Sequence, residues 1–400
     1  MADLSADETP SDASTGGRED RPLVIVGGTA HWGRRRLAEH HIARQLTRYA
    51  RVLFVDPPLS RMTAKREPAL RPLLNGPRLR EVEPDLHLLV PIVAPGMERP
   101  GIRQLSDWQI RRDIAWSVAH LGGPARATIL TLPQRRLFDE QIEGAKVYWA
   151  KDDHVAGASL YGLGMRRVAR VESQLVERSD RFLVCSETLG AAWRKRGADP
   201  VVLPNGCDVQ HFRQARTAAR PDDVDPGRSY AIYVGTMTDR IDPNLLRSVA
   251  DRRIDVLLVG DQRRTSHWSE FKELVEHPRI QHVGRRTYEQ LPAYLGAASV
   301  GLVPYRSNRY NRGSFPLKML EYLAAGLTVV SSDLPAAHWL ASQHIGIATD
   351  AHGFADLVAT QMERAGSEEV VEGCHRLAQK HDWSQRAAQL AELISIADTR

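Results

Sequence analysis

From Leu23 onward the chain keeps returning to one kind of segment: a short, unbroken apolar run that stops at a glycine, a proline or a polar turn. "LVIVGG" (23–28), "RVLFVDPP" (51–58), "LHLLVPIV" (86–93), "ATILTLP" (127–133), "KVYWA" (146–150), "RFLVCS" (181–186) and "VVLPNG" (201–206) are of this type. A strand with one wet face would alternate apolar and polar residues, so runs of this length suit parallel strands covered on both faces. Amphipathic helical segments separate several of them, such as Arg34 to Tyr49 and Met165 to Arg178. That gives the β-α alternation of a doubly wound sheet.

The pattern then starts again. After a polar, proline-bearing stretch from Gln214 to Arg228, "SYAIYVG", "DVLLVG", "IQHVG", "VGLVPY" and "LTVVSSD" alternate with helical segments in the same way. Two Rossmann-like α/β domains therefore follow one another, at 22–213 and 229–378, with 214–228 as linker and 379–400 as a terminal segment. "VVLP" reads as the last strand of the first half, and Asn205-Gly206 as the turn that leaves it. Residues 1–21 hold almost nothing large and apolar and are expected to form a disordered tail.

Composition removes several classes of function. With 400 residues, 42% of them hydrophobic, the chain can bury a core large enough for two domains. No apolar run approaches the roughly 20 residues that span a bilayer, and the start lacks the pattern of a signal peptide, so a cytoplasmic protein is expected. Three cysteines, Cys185, Cys207 and Cys374, stand apart from one another and from histidine clusters, suggesting neither disulfides nor a structural zinc. The net charge of +5 is modest, and the basic residues lack aromatic interleaving, so no nucleic-acid partner is expected. Only 7 of the 54 basic residues are lysine, which points to compositional bias rather than to a function of arginine.

Two Rossmann-like domains serve many chemistries, so the site residues must choose among them. Pro204, Asn205, Gly206, Asp208 and Phe212 resemble the "PNG-(V)-D-x-x-x-F" crossover of the retaining GT-B glycosyltransferases of family 4. In that family's order follow "YVGTMTDRID" (233–242), "LLVGD" (257–261), "VGRRTYEQLPAYLGAASVGLVPY" (283–305) and "SFPLKMLEYLAAGLTVVSSDLP" (314–335). The resemblance is strong over 200–335 and weaker in the first half, where "GGTAHWGRRRLAEHHIARQL" and "KDDHVAG" are similar to one subgroup. It implies a GT-B fold, in which the domains face each other across a cleft and a C-terminal helix, here "DWSQRAAQL", crosses back onto the first.

The resemblance also assigns site residues. Phe315-Pro316 is a good helix start, and Leu317, Leu320 and Leu323 share one face. The backbone of Ser314, Phe315, Pro316 and Leu317 would receive the donor's β-phosphate at a helix N-terminus; the alternative is an ordinary proline-started core helix. Glu321 would accept both ribose hydroxyls of the nucleotide. Lys318 and Arg240, the latter following the Gly235-Thr236 turn, would stabilise charge on the leaving diphosphate, the task a metal performs in other transferases. Arg285 would approach the base, the alternative being a solvent-exposed side chain. No DxD-like pair occupies the expected place, so no metal or other cofactor is expected. The family's first glutamate falls on Gly313, a departure that leaves the sugar, and turnover itself, open.

In the first half, Asp152, Asp153 and His154 follow a strand at the edge that should face the cleft. The aspartates are acceptor-binding candidates and His154 a candidate for catalytic support, its alternative being a hydrogen-bonded structural histidine. Gly27 and Gly28 would let a backbone approach acceptor or donor closely. The basic stretch at Arg34–Arg36, with His40 and His41, reads as a solvated helix face, with binding of an acidic acceptor or of a membrane surface the other options. The expected function is transfer of a sugar from a nucleoside-diphosphate sugar to a saccharide or small-molecule acceptor with retention. The alternatives are a catalytically silent nucleotide-sugar-binding protein and a GT-B enzyme of other chemistry, an epimerase or a non-glycosidic coupling enzyme. The base, the sugar, the acceptor and the oligomeric state are not readable.

Overall fold

A computed structural model describes residues 21–34, 36–97, 99–133, 144–263 and 268–396. The expected tail lies outside these residues except for Arg21, which is not loose: its guanidinium pairs with Asp85 at 2.6 Å and donates to the Thr47 carbonyl.

Fourteen described strands form two sheets. The first contains β1 (Leu23–Gly27), β2 (Arg51–Val55), β3 (Leu79–Glu83), β4 (Leu86–Leu89), β5 (Ala125–Leu130), β6 (Ala145–Ala150), β7 (Arg181–Val184) and β8 (Val201–Val202). Their order is β3-β4-β2-β1-β5-β6-β7-β8, all parallel except β3 against β4. The second contains β9 (Tyr230–Val234), β10 (Asp255–Val259), β11 (Ile280–Gly284), β12 (Ala298–Val303), β13 (Thr328–Ser332) and β14 (Ile345–Ala348), in the order β11-β10-β9-β12-β13-β14 and parallel throughout. In each sheet the strand order reverses beside the first strand in sequence, and such switch points leave a crevice at the strands' carboxyl ends.

Among the described residues no helix is long and apolar enough to cross a membrane. The helix Met165–Arg178 occupies the expected span. The one expected from Arg34 is shorter, Ala38–Leu46: Gly33 takes a positive φ and Leu37, the residue before the helix, is extended.

The chain passes between domains twice, and the two crossings are bonded together. The Cys207 N–H donates to the His381 carbonyl at 3.0 Å, and the Trp383 N–H donates back to the Cys207 carbonyl at 3.0 Å. A Cβ on Gly206 would lie 2.9 Å from the His381 oxygen and 3.0 Å from the Trp383 ring, so this turn admits only glycine without displacement. Asp382 caps the helix Trp383–Leu393, whose Trp383, Ala387, Leu390 and Ala391 complete the apolar layer over the first sheet against the helix Ala38–Leu46.

Candidate active site

The segment from Asn308 to Ala324 sits where the two sheets' carboxyl ends approach. Asn308 caps a short helix, Arg309–Gly313, which runs into an extended Ser314 and then Pro316, the N-cap of the helix Leu317–Ala324. Proline suits this boundary because its fixed φ starts a helix and it brings no N–H to satisfy. The first-turn amides at Leu317 and Lys318 have no acceptor within the helix and form a partial positive charge. Leu320 and Leu323 are fully buried, along with Met319 and Tyr322, while Leu317 is half-buried against the first domain's apolar layer.

Arg240 is brought to the same place by the turn after β9. Its Nε donates to Asn311 Oδ1 at 2.9 Å and its Nη2 to Ser314 Oγ at 3.2 Å, and its guanidinium lies 4.7 Å from the ring centres of both Tyr305 and Tyr310. Burial alone would favour losing the proton, but Tyr305, Tyr310 and Asp152 outweigh it and keep the side chain charged. Lys318 donates to the Tyr305 hydroxyl and lies 5.0 Å from the centre of the Tyr233 ring. Burial would raise the Tyr305 phenol, yet Lys318 and Arg240 together hold it below the ordinary tyrosine value. Gly235 has a φ of +146°, and a Cβ there would stand 2.9 Å from the Tyr233 hydroxyl and 3.3 Å from Lys318 Nζ. With Thr236 half-buried beside it, this turn borders the two cations.

Glu321 is one turn further along the helix. Burial pushes its carboxyl up to about 7, opposed by Lys318, and among the described residues no side chain hydrogen-bonds to it. Arg285 is exposed and donates to the Arg34 carbonyl across the domain boundary at 3.2 Å.

The first domain supplies the opposite wall. Asp153 is fully engaged: Oδ2 accepts from Arg309 at 2.7 Å, and Oδ1 accepts from the Ala156 N–H at 2.9 Å. Asp152 is half-buried and near enough to Arg240 to help hold its charge. His154 is buried, its pKa lowered by that burial, and its Nε2 has no hydrogen-bond partner among the described residues. Gly27 closes β1. The close approach expected at Gly28 is made by its own domain, since a Cβ would meet the Phe54 ring at 2.5 Å. At Gly313 a Cβ would stand 3.3 Å from Asp153 Cβ, so where the family glutamate would project, the first domain is already packed.

Sequence reasoning missed Tyr233, Tyr305, Tyr310 and Asn311, which cage the two cations. It also missed side chains of the first domain that reach the loop. Ser186 Oγ donates to the Gly313 carbonyl at 2.6 Å, and Asn205 Nδ2 donates to the Phe315 carbonyl at 3.0 Å. Behind the loop lies a mostly apolar cleft of about 850 Å³, lined by Ser186, Lys195, Pro204, Phe315 and Trp339 among others; of the residues singled out from the sequence, the motif residue Pro204 and the donor-site candidate Phe315 line it. Among the described residues no three His, Cys, Asp or Glu side chains gather in a metal-binding group.

Two α/β units, a paired crossover and a cation-lined helix start at the seam define the GT-B class. Residues 232–365 match the family model "Glycosyl transferases group 1". That match supports a transferase of the glycosyltransferase type. The chain is 24% identical over 273 residues to TuaH of Bacillus subtilis (strain 168), provisionally described as a teichuronic acid biosynthesis glycosyltransferase, covering 65% of this chain and 68% of that one. Among solved structures it is similar to sucrose-phosphate synthase from Thermosynechococcus elongatus, at a TM-score of 0.72 and 16% identity over 93% of this chain and 98% of that one. It is also similar to Anabaena HepE in complex with UDP, at a TM-score of 0.62 and 15% identity, covering 94% and 99%.

Proposed function

We propose that the protein transfers a sugar from a nucleoside-diphosphate sugar, held by the second domain, to a saccharide or small-molecule acceptor held against the first, with retention at the anomeric carbon. The observation that carries this reading is the convergence of Arg240 and Lys318 on one helix start, with the unpartnered Glu321 one turn on. Two cations and a helix N-terminus suit a diphosphate, and a carboxylate beyond them suits ribose hydroxyls. The HepE structure, a complex with UDP, favours a uridine nucleotide.

In this reading Arg240 and Lys318 stabilise charge as the bond between the anomeric carbon and the phosphate oxygen breaks. The acceptor oxygen bonds to that carbon from the same face, and its proton passes to the departing phosphate oxygen. The protein positions both substrates, and no metal is required. Asp152 holds acceptor or sugar hydroxyls, with the buried, neutral His154 beside it in support. Thr236, Arg285 and the backbone of 314–317 complete the donor site, and the reaction is assigned to the cytoplasm.

A panel of UDP-, GDP- and dTDP-sugars, followed by thermal shift and slow donor hydrolysis, tests this. One donor that both stabilises and hydrolyses is the expected result. Absence of any shift would refute the donor site, while a shift without turnover, with acceptors supplied, would favour the silent binder that Gly313 suggests.

A further inference from the structure

We propose that Asn205 and Ser186, both from the first domain, are positioning residues for the phosphate loop of the second, so that the diphosphate site is complete only when the domains are apposed. This rests on the reading that the loop at 314–317 receives the donor. Each residue holds one loop carbonyl, Gly313 for Ser186 and Phe315 for Asn205, so the backbone leading to the helix start is pinned on both sides of Ser314. The second domain holds Ser314 itself, through Asn311 and Arg240.

Each positioning side chain is locked within its own domain. Asn205 is buried, and its Oδ1 accepts from Lys151 Nζ at 3.2 Å. A carbonyl only accepts, so the NH₂ must face Phe315 and the amide oxygen must face Lys151. Lys151 is in turn enclosed between the Trp149 and Trp383 rings. Ser186 accepts from the Leu189 N–H at 3.1 Å as N-cap of the helix Glu187–Arg194 and donates its hydroxyl hydrogen to Gly313. Around these bonds the surfaces meet closely: a Cβ on Gly157 would stand 2.5 Å from the Tyr310 ring, and Arg309 pairs with Asp153. A binding group displaced by about 1 Å loses much of its effect on a reacting centre, so a loop pinned from across the cleft ties donor binding to closure.

Two variants remove the donated hydrogen without adding a charge at the diphosphate site. Asn205→Leu keeps the size of the side chain; Ser186→Gly keeps a fair N-cap. In the full-length protein Ser186→Gly should melt near wild type. UDP affinity, by titration calorimetry, should fall about tenfold, in the range that loss of a hydrogen bond to a loop produces. Hydrogen exchange in a peptide covering 309–320 should quicken. A role in folding alone would lower the melting temperature without this pairing of effects. If Asn205→Leu does not fold, Ser186→Gly decides. Wild type that binds UDP, with folded variants unchanged in both affinity and exchange, refutes this assignment alone. Wild type that binds none of UDP, GDP and dTDP refutes the donor reading and this assignment with it.

Discussion

Glu321→Gln should move stability and donor affinity in opposite directions, and the structure gives both magnitudes. The Glu321 carboxyl ionises near 4.5 in the unfolded chain and is pushed up to about 7 by burial in the folded one. A carboxyl whose folded pKa is raised binds its proton more tightly in the native state. Stability is therefore greatest below about 4.5, declines as pH rises, and the loss is complete above about 7. The linkage ceiling is about 3.4 kcal/mol, and because the side chain is only half-buried we expect about 1–2 kcal/mol. Glutamine carries no such charge, so at pH 8 the variant should melt about 1–3 °C higher than wild type. Donor binding runs the other way, because only the ionised carboxylate accepts two ribose hydroxyls. With a pKa of about 7, roughly a tenth of Glu321 is ionised at pH 6 and nine tenths at pH 8, so wild-type affinity should improve about tenfold between them. The variant should bind more weakly and without that pH dependence. The assay is calorimetry with an intact nucleotide sugar, since the terminal phosphate of free UDP itself titrates near pH 6. Histidines nearby do not blur the result: burial lowers the pKa of His211, and it drives His41 down to about 3. A wild-type affinity flat from pH 6 to 8, or a variant no more stable at pH 8, would refute the reasoning.

Arg240→Ala should reduce kcat by roughly a hundredfold, the scale on which an aligned donor acts on developing charge, with a smaller effect on donor affinity; equal kcat in steady-state assays would remove Arg240 from the chemistry. Turnover should persist in excess EDTA, and activity restored only by a divalent ion would contradict the metal-free mechanism. Trp383→Ala should cost about 3–5 kcal/mol by opening a cavity beneath the first sheet, measured by denaturant unfolding. A loss under 1 kcal/mol would show that the C-terminal helix adds little to that core.

Strand positions were legible where burial on both faces left an unbroken apolar run. β3, "LREVE", escaped because it is a polar antiparallel edge strand, and β8 shrank to two residues at the opposite edge. The helix start at Pro316 and the arginine after β9 were readable because backbone geometry and motif spacing fix them locally. The tyrosine cage was not, since Tyr233 and Tyr305 stand at strand ends, where an aromatic ring ordinarily signals packing. Ser186 and Asn205 act on carbonyls 127 and 110 residues away, and nothing local distinguishes a serine or asparagine that bonds across domains from one that only caps or turns. Gly28 and Gly206 show the reverse case: both signal close approach, and in both the approaching group is the protein itself.

The paired crossing at Cys207 and Trp383 has a consequence for biosynthesis. The first sheet is fully translated once β8 emerges, yet its outer layer includes a helix that begins about 180 residues later. At 5–20 residues per second, about 10–40 s pass before that helix leaves the ribosome. During that interval the apolar face built around Ala38 and Ile42 is uncovered, and the nascent chain is open to chaperones and proteases. The two domains are thus separate in architecture but not in order of completion: the one begun first is finished last.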